Sequence, residues 1–146
     1  MFKLILHTAS EVISFCKKLE NESARFYRDL SLKYTEHKDF FTSFAKENEA
    51  NIVQIERAYY GVISDAIEGG FAFDIESDSY AFEAALPQSA NYADALAKAS
   101  AIEEKILKFY ADAARQSDSL MADVPRTFRQ VVKKRESRIS KLKQLA

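Results

Sequence analysis

Residues 19–27 read Leu-Glu-Asn-Glu-Ser-Ala-Arg-Phe-Tyr, and residues 102–110 read Ile-Glu-Glu-Lys-Ile-Leu-Lys-Phe-Tyr. Each stretch places a glutamate (Glu20, Glu103) seven residues before the tyrosine (Tyr27, Tyr110) of a Phe-Tyr pair. Seven residues make two turns of α-helix, so carboxylate and phenol share a helix face in both stretches. A second pair of segments matches in the same way. Residues 44–52 read Phe-Ala-Lys-Glu-Asn-Glu-Ala-Asn-Ile, and residues 131–139 read Val-Val-Lys-Lys-Arg-Glu-Ser-Arg-Ile. The first pair lies 83 residues apart and the second 87, so the chain reads as one helical hairpin written twice with different loop lengths.

Working outward, apolar positions recur at spacings of three and four. Thr8-Ala-Ser-Glu11 has the form of a capping box opening helix 1. The stripe behind it is Val12, Cys16, Leu19, Ser23, Phe26, Tyr27 and Leu30. A polar turn over 33–38 leads to helix 2, whose stripe is Phe41, Phe44, Asn48, Asn51, Ile55, Tyr59, Val62 and Ala66. Gly61 weakens its last turns, and Gly69-Gly70 stops it. Helix 3 starts near Asn91 and shows Tyr92, Leu96, Ala99, Glu103, Ile106, Tyr110 and Ala113. Asp123 and Pro125 suit the start of helix 4, with Phe128, Val131, Val132, Arg135, Arg138, Ile139, Leu142 and Leu145 behind them. The expected fold is all-α: a single four-helix-bundle domain over 1–146, its hairpins about 8–68 and 91–146. An ordered, aromatic and acidic crossover of about 69–90, with room for one helical turn, joins them.

Composition agrees. The 146 residues include only 3 Gly and 2 Pro, against about 17 expected from average usage. A β-sandwich or barrel needs a turn every ~8–12 residues, more than five breakers can supply. A net charge of −1 gives no field to attract nucleic acid or an anionic membrane. The single cysteine, Cys16, excludes an intrachain disulfide and a thiolate-built metal site, and its place on an apolar stripe marks it as a small buried hydrophobe. The opening apolar run is too short for a signal segment, and no stretch approaches the ~20 apolar residues of a membrane span. A soluble cytoplasmic protein is expected.

The informative residues are those that break the stripes. Glu20, Asn48, Asn51, Glu103, Arg135 and Arg138 all fall on core-facing positions near mid-helix. An unpaired charge there costs several kcal/mol, so the six must satisfy one another or bind something.

The pattern resembles the rubrerythrin-like branch of the ferritin-like superfamily, and the resemblance covers nearly the whole chain. In that family helices 1 and 3 each give one Glu, and helices 2 and 4 each give a Glu-x-x-His pair, which together hold two irons. The resemblance puts Glu20 and Glu103 at the helix 1 and helix 3 ligand positions, and Tyr27 and Tyr110 at aromatic positions beside them. This chain departs at the other four ligands, where it has Asn48-x-x-Asn51 and Arg135-x-x-Arg138. Asn is a weak neutral ligand and Arg cannot ligate. Charge accounting makes the departure intelligible: the family balances four carboxylates with two divalent ions, and here two carboxylates meet two guanidinium groups. The expectation is a degenerate di-iron site in which Arg135 and Arg138 occupy the metal volume and pair with Glu20 and Glu103. No metal, cofactor or catalytic residue is then expected.

The alternative is a di-iron or mono-metal oxidoreductase of peroxide or iron, using Glu20, Glu103 and carboxylates shifted in register. Glu49 and Glu136 lie one residue beyond Asn48 and Arg135, but one residue is a rotation of ~100°, off the central seam. Glu22, Glu47 and Glu104 share that difficulty, and His7 and His37 fall outside the stripes as surface histidines. A third possibility is a small ligand near the aromatic crossover. With one cysteine, the chain lacks the four-cysteine electron-delivery module of the family's longer members. The family's habit of dimerising through bundle faces implies a homodimer, or else an unknown protein partner.

Overall fold

A computed structural model describes residues 4–63, 73–117 and 123–146, with the side chains of 61–63 excepted. It is an all-α four-helix bundle. The helices are α1 (Ala9–Lys33), α2 (Lys38–Ile63), α3 (Tyr92–Gln116) and α4 (Asp123–Leu145). α1 packs against α2 and α3 against α4 as antiparallel pairs, and the pairs meet chiefly through α2 and α4.

Local sequence sets the helix starts. The Thr8 hydroxyl accepts from the Glu11 amide at 3.1 Å, and the Glu11 carboxylate accepts from the Thr8 amide at 3.0 Å. Asn91 and Asp94 form the same reciprocal pair for α3. Each satisfies amide donors that the first helical turn leaves without partners. Glu11 also accepts from the His7 amide, and these backbone bonds hold its carboxyl below the ordinary value. α2 follows a single 3-10 turn at Thr35–His37 and runs through Gly61. The Gly69-Gly70 stop lies outside the described residues.

The helix stripes fill the core with aromatic rings on both hairpins. Phe26 and Tyr27 meet edge-on at 5.5 Å and 72°, and Phe109 and Tyr110 at 5.4 Å and 74°. Tyr27 lies 6.2 Å from Phe41, and Tyr110 lies 5.8 Å from Phe128. All six of these rings are buried, and burying a side chain of Phe size contributes about 1.5–3 kcal/mol.

The crossover holds an element beyond the expected helical turn. Its residues 75–76 form a short strand, β2 (Ile75–Glu76), antiparallel to β1 (Ile5–Leu6), with Ile5 opposite Glu76 and Leu6 opposite Ile75. Two further amides extend the clip, Phe73 to the His7 carbonyl and Ser77 to the Leu4 carbonyl, each at 3.0 Å. Such a two-residue pairing leaves no periodic signal in the sequence. The expected helical turn is present as a 3-10 turn at Ser77–Tyr80. Buried Phe73, Ile75 and Tyr80 fasten the segment to the core. The Tyr80 hydroxyl donates to Asp112 Oδ2 at 2.6 Å; burial first, and that carboxylate second, push its pKa up. Gln116 pairs with the Asp74 backbone in both directions, at 2.7 and 3.2 Å.

Candidate functional site

All six stripe-breaking residues lie in the bundle centre: Glu20, Asn48, Asn51, Glu103 and Arg135 are 0% exposed and Arg138 is 1% exposed. Arg135 and Arg138 are the two largest fully buried side chains among the described residues. α1 and α3 each contribute one carboxylate, α2 both amides and α4 both guanidinium groups.

Arg135 bridges the two hairpins. Its Nη1 donates to both Glu103 oxygens at 2.9 Å and to the Ser23 hydroxyl at 3.3 Å, while Nη2 donates to Glu20 Oε2. Arg138 pairs with Glu103 and not with Glu20. Its Nη1 donates to Glu103 Oε1 at 3.1 Å, and Nη2 to the Phe44 carbonyl at 2.7 Å and to Asn48 Oδ1. Its Nε donates to Glu47 Oε1 at 2.8 Å. The guanidinium also lies over the rings of Phe44 and Tyr27, 4.8 and 5.4 Å from their centres, where cation–π attraction adds to the hydrogen bonds.

The two asparagines add a link between α1 and α2 that the arginines do not make. Asn48 Nδ2 donates to the Glu20 backbone carbonyl and Asn51 Nδ2 to Glu20 Oε1, each at 2.8 Å. Asn51 Oδ1 accepts from Lys134 Nζ at 3.1 Å. An amide both donates and accepts, so it can link a carboxylate to a cation.

The tyrosines are not placed alike. Tyr27 shares a face with Glu20 but donates across the bundle, to Glu103 Oε1 at 2.7 Å, because two turns along one helix is about 10 Å, beyond hydrogen-bond range. The Tyr110 hydroxyl is buried without a hydrogen-bond partner, as is Arg135 Nε. Burial raises both phenol pKa values, and the nearby carboxylate raises each further: Glu103 for Tyr27, Glu20 for Tyr110.

Burial alone would raise the Glu103 pKa, but Arg135 and then Arg138 hold it below the usual carboxylate range. Burial likewise opposes charge on Arg135, and Glu103 and Glu20 more than offset it. Glu103 and Arg135 therefore stand as a charged pair. Cys16 sits beside it, its thiol pushed well up by burial and by the Glu20 charge.

Two further side chains join the six, one of them a carboxylate set aside above as off the seam. Glu47 stands one residue off the seam, yet its half-buried carboxylate reaches in to Arg138. Lys134, beside Arg135, reaches Asn51 and also Gln54 Oε1 at 3.4 Å. Their signal was charge: each long side chain flanks a core position with its stem along the helix surface. With them the balance extends to three carboxylates and three cations.

The other carboxylates weighed as shifted ligands lie elsewhere. Glu49, Glu104 and Glu136 are exposed, and Glu49 pairs with Arg28. His7 and His37 are half-buried, each partly open to solvent. His37 stacks on Tyr92 at 5.2 Å and 16°, in an aromatic group with Tyr34. Among the described residues no group of three or more His, Cys, Asp or Glu side chains is arranged to hold a metal ion. The donor set does not suit an iron pair, since all four oxygens of Glu20 and Glu103 already accept hydrogen bonds. Near the crossover, a cleft of about 300 Å³ is lined by Phe26, Asp29, Leu30, Lys33, Ala84, Leu86 and Gln88. No described helix is long and apolar enough to cross a membrane.

No family model matches the chain, nor does any curated protein or solved structure.

Proposed function

We propose that this protein is a rubrerythrin-like bundle in which a Glu–Arg–Asn network replaces the di-iron centre. On this reading it is non-catalytic and serves as a structural or partner-binding protein, in the cytoplasm, as a homodimer or with another protein. One observation carries the reading: Arg135 and Arg138 are fully buried at the level of the four family ligand positions they and the asparagines would replace, bonded to the two carboxylates that remain. The near-equal Phe26–Tyr27 and Phe109–Tyr110 geometries support two copies of one ancestral hairpin.

A charged network of this kind adds little net stability over a packed apolar core but strongly penalises mispairing. Its role is then to fix helix register, doing for the scaffold what bridging ions do in a metal-loaded bundle.

Elemental analysis of protein expressed with added iron tests the proposal. Sub-stoichiometric, washable iron is expected; tightly bound iron near one or two per chain would overturn it and favour an oxidoreductase using Glu20, Glu103 and other carboxylates. A companion variant carries Asn48→Glu, Asn51→His, Arg135→Glu and Arg138→His. If the scaffold descends from a di-iron bundle, this variant gains iron binding that the parent lacks.

A further inference from the structure

We propose that the cleft between α1 and the end of the crossover binds a free α-amino acid with an apolar side chain. This goes beyond the functional reading above and does not depend on it.

The cleft exists because the crossover ends as a loose strap. Residues 81–91 form neither helix nor strand, and none of them is buried. The strap is tied down from two helices by lysines. Lys33 of α1 donates to the Ala90 carbonyl at 3.2 Å, and Lys98 of α3 donates to the Ala85 carbonyl. A turn from Pro87 to Ala90, closed by a 3.0 Å backbone bond, shapes its end. Between strap and α1 lies the cleft of about 300 Å³, the small end of the range for ligand pockets.

Its lining divides by chemistry. Phe26 and Leu30, each 1% exposed, form the apolar floor, and half-buried Leu86 faces them from the strap. Asp29 and Lys33 stand exposed at the rim on the α1 side, with Gln88 on the strap side. Asp29 and Lys33 are one helical turn apart, the spacing at which opposite charges ordinarily close on each other. Here Lys33 turns to the Ala90 carbonyl instead, and the Asp29 carboxylate is unpaired among the described residues. The rim therefore offers one acceptor charge and one donor charge above an apolar floor.

That combination selects the occupant. A purely apolar molecule would leave both rim charges unanswered. A simple amine would meet repulsion from Lys33, and a simple carboxylate would meet it from Asp29. An α-amino acid carries both charges on one carbon and no net charge. Its ammonium answers Asp29, its carboxylate answers a remaining Lys33 proton, and the Gln88 amide can serve either group. A branched aliphatic or aromatic side chain then covers Phe26, Leu30 and Leu86.

The test titrates the nitrogen-15-labelled protein with L-leucine and follows backbone amide shifts by NMR. Three probes stand beside it. Isopentylamine and 4-methylpentanoate each keep the side chain and one charge, and L-serine keeps both charges without the apolar group. Leucine is expected to shift the Leu30, Lys33 and Leu86 amides saturably, with Kd about 1 mM or tighter. Each single-charge probe should bind about fivefold more weakly or worse, and serine should not saturate. Asp29→Asn should weaken leucine about fivefold. Leu86→Trp, which fills the cleft from the strap, should abolish binding while the circular-dichroism melt stays near wild type. No saturable shift up to about 20 mM leucine would overturn the proposal. So would equal binding of isopentylamine or of 4-methylpentanoate, marking a cation or an amphiphile site, or unchanged leucine affinity in Asp29→Asn.

Discussion

Removing the Glu103 carboxylate should unbalance the whole centre. Its oxygens accept from Tyr27, twice from Arg135 and once from Arg138, at 2.7 to 3.1 Å and at 0% exposure. In Glu103→Ala, Arg135 keeps Glu20 and Ser23, and Arg138 keeps Glu47, Asn48 and the Phe44 carbonyl. The lost side is fully buried, so one guanidinium charge goes uncompensated in a low-dielectric interior. Breaking a buried ion pair from one side costs about 3–5 kcal/mol, a large share of the roughly 5–15 kcal/mol that holds a domain together. For a chain of this size each kcal/mol is worth about 2–4 °C in melting temperature, which gives a fall of roughly 6–20 °C. Circular-dichroism melts at pH 7, with urea titrations beside them, measure it. Glu104→Ala, on the exposed adjacent position, serves as control and should stay within about 0.5 kcal/mol of wild type. A Glu103→Ala melt within about 2 °C of wild type would refute the buried network.

Other outcomes follow from the same geometry. Tyr27→Phe removes a hydrogen bond to a buried carboxylate and should cost about 1.5–3 kcal/mol in urea unfolding, whereas Tyr110→Phe, with no protein partner to lose, should cost about 1 or less. Because the folded Glu103 pKa is depressed below the ordinary 4.5, its contribution is present above about pH 4.5 and lost as pH falls through the folded value. Urea midpoints measured from pH 6 to pH 3 should therefore fall more steeply for wild type than for Glu103→Gln. Replacing the network as a unit, with Glu20→Met, Glu103→Met, Arg135→Leu and Arg138→Met, should be neutral or stabilising by about 1–4 kcal/mol in thermal melts. Lys134→Ala acts at the rim and should cost less than about 1 kcal/mol by the same assay.

The bundle was legible in the sequence because its evidence is periodic. Long stripes, the Thr8–Glu11 capping box and a scarcity of breakers all point the same way, and Thr8, Glu11 and Asn91 mark the helix starts closely. The six central residues were legible for a related reason: Arg135 and Glu103 are conspicuous where Leu or Val would ordinarily stand. Which partner each arginine takes was not legible. Arg138 turns to Glu47 and Asn48 because side-chain reach across three helices decides it, and helix periodicity carries no information about reach. Glu47 and Lys134 were not placed in the centre because a long side chain can enter a centre that its Cα faces away from. The β1–β2 clip escaped for want of length, since two residues show no period, and its partners are some 70 residues apart.

That clip has a kinetic consequence. Joining Ile5 to Glu76 closes a loop of about 70 residues, at an entropic cost of about 4 kcal/mol if the intervening chain were free. A two-residue ladder with its flanking bonds, each worth about 0.5–1.5 kcal/mol, cannot meet that cost alone. It can close only after α1 and α2 have folded back on each other and brought its ends together. The clip should therefore form late and open early, with the Phe73 and Ser77 amides exchanging with solvent well before those around Glu20. The short tie across the crossover would then report, in hydrogen exchange, on whether the first hairpin is intact.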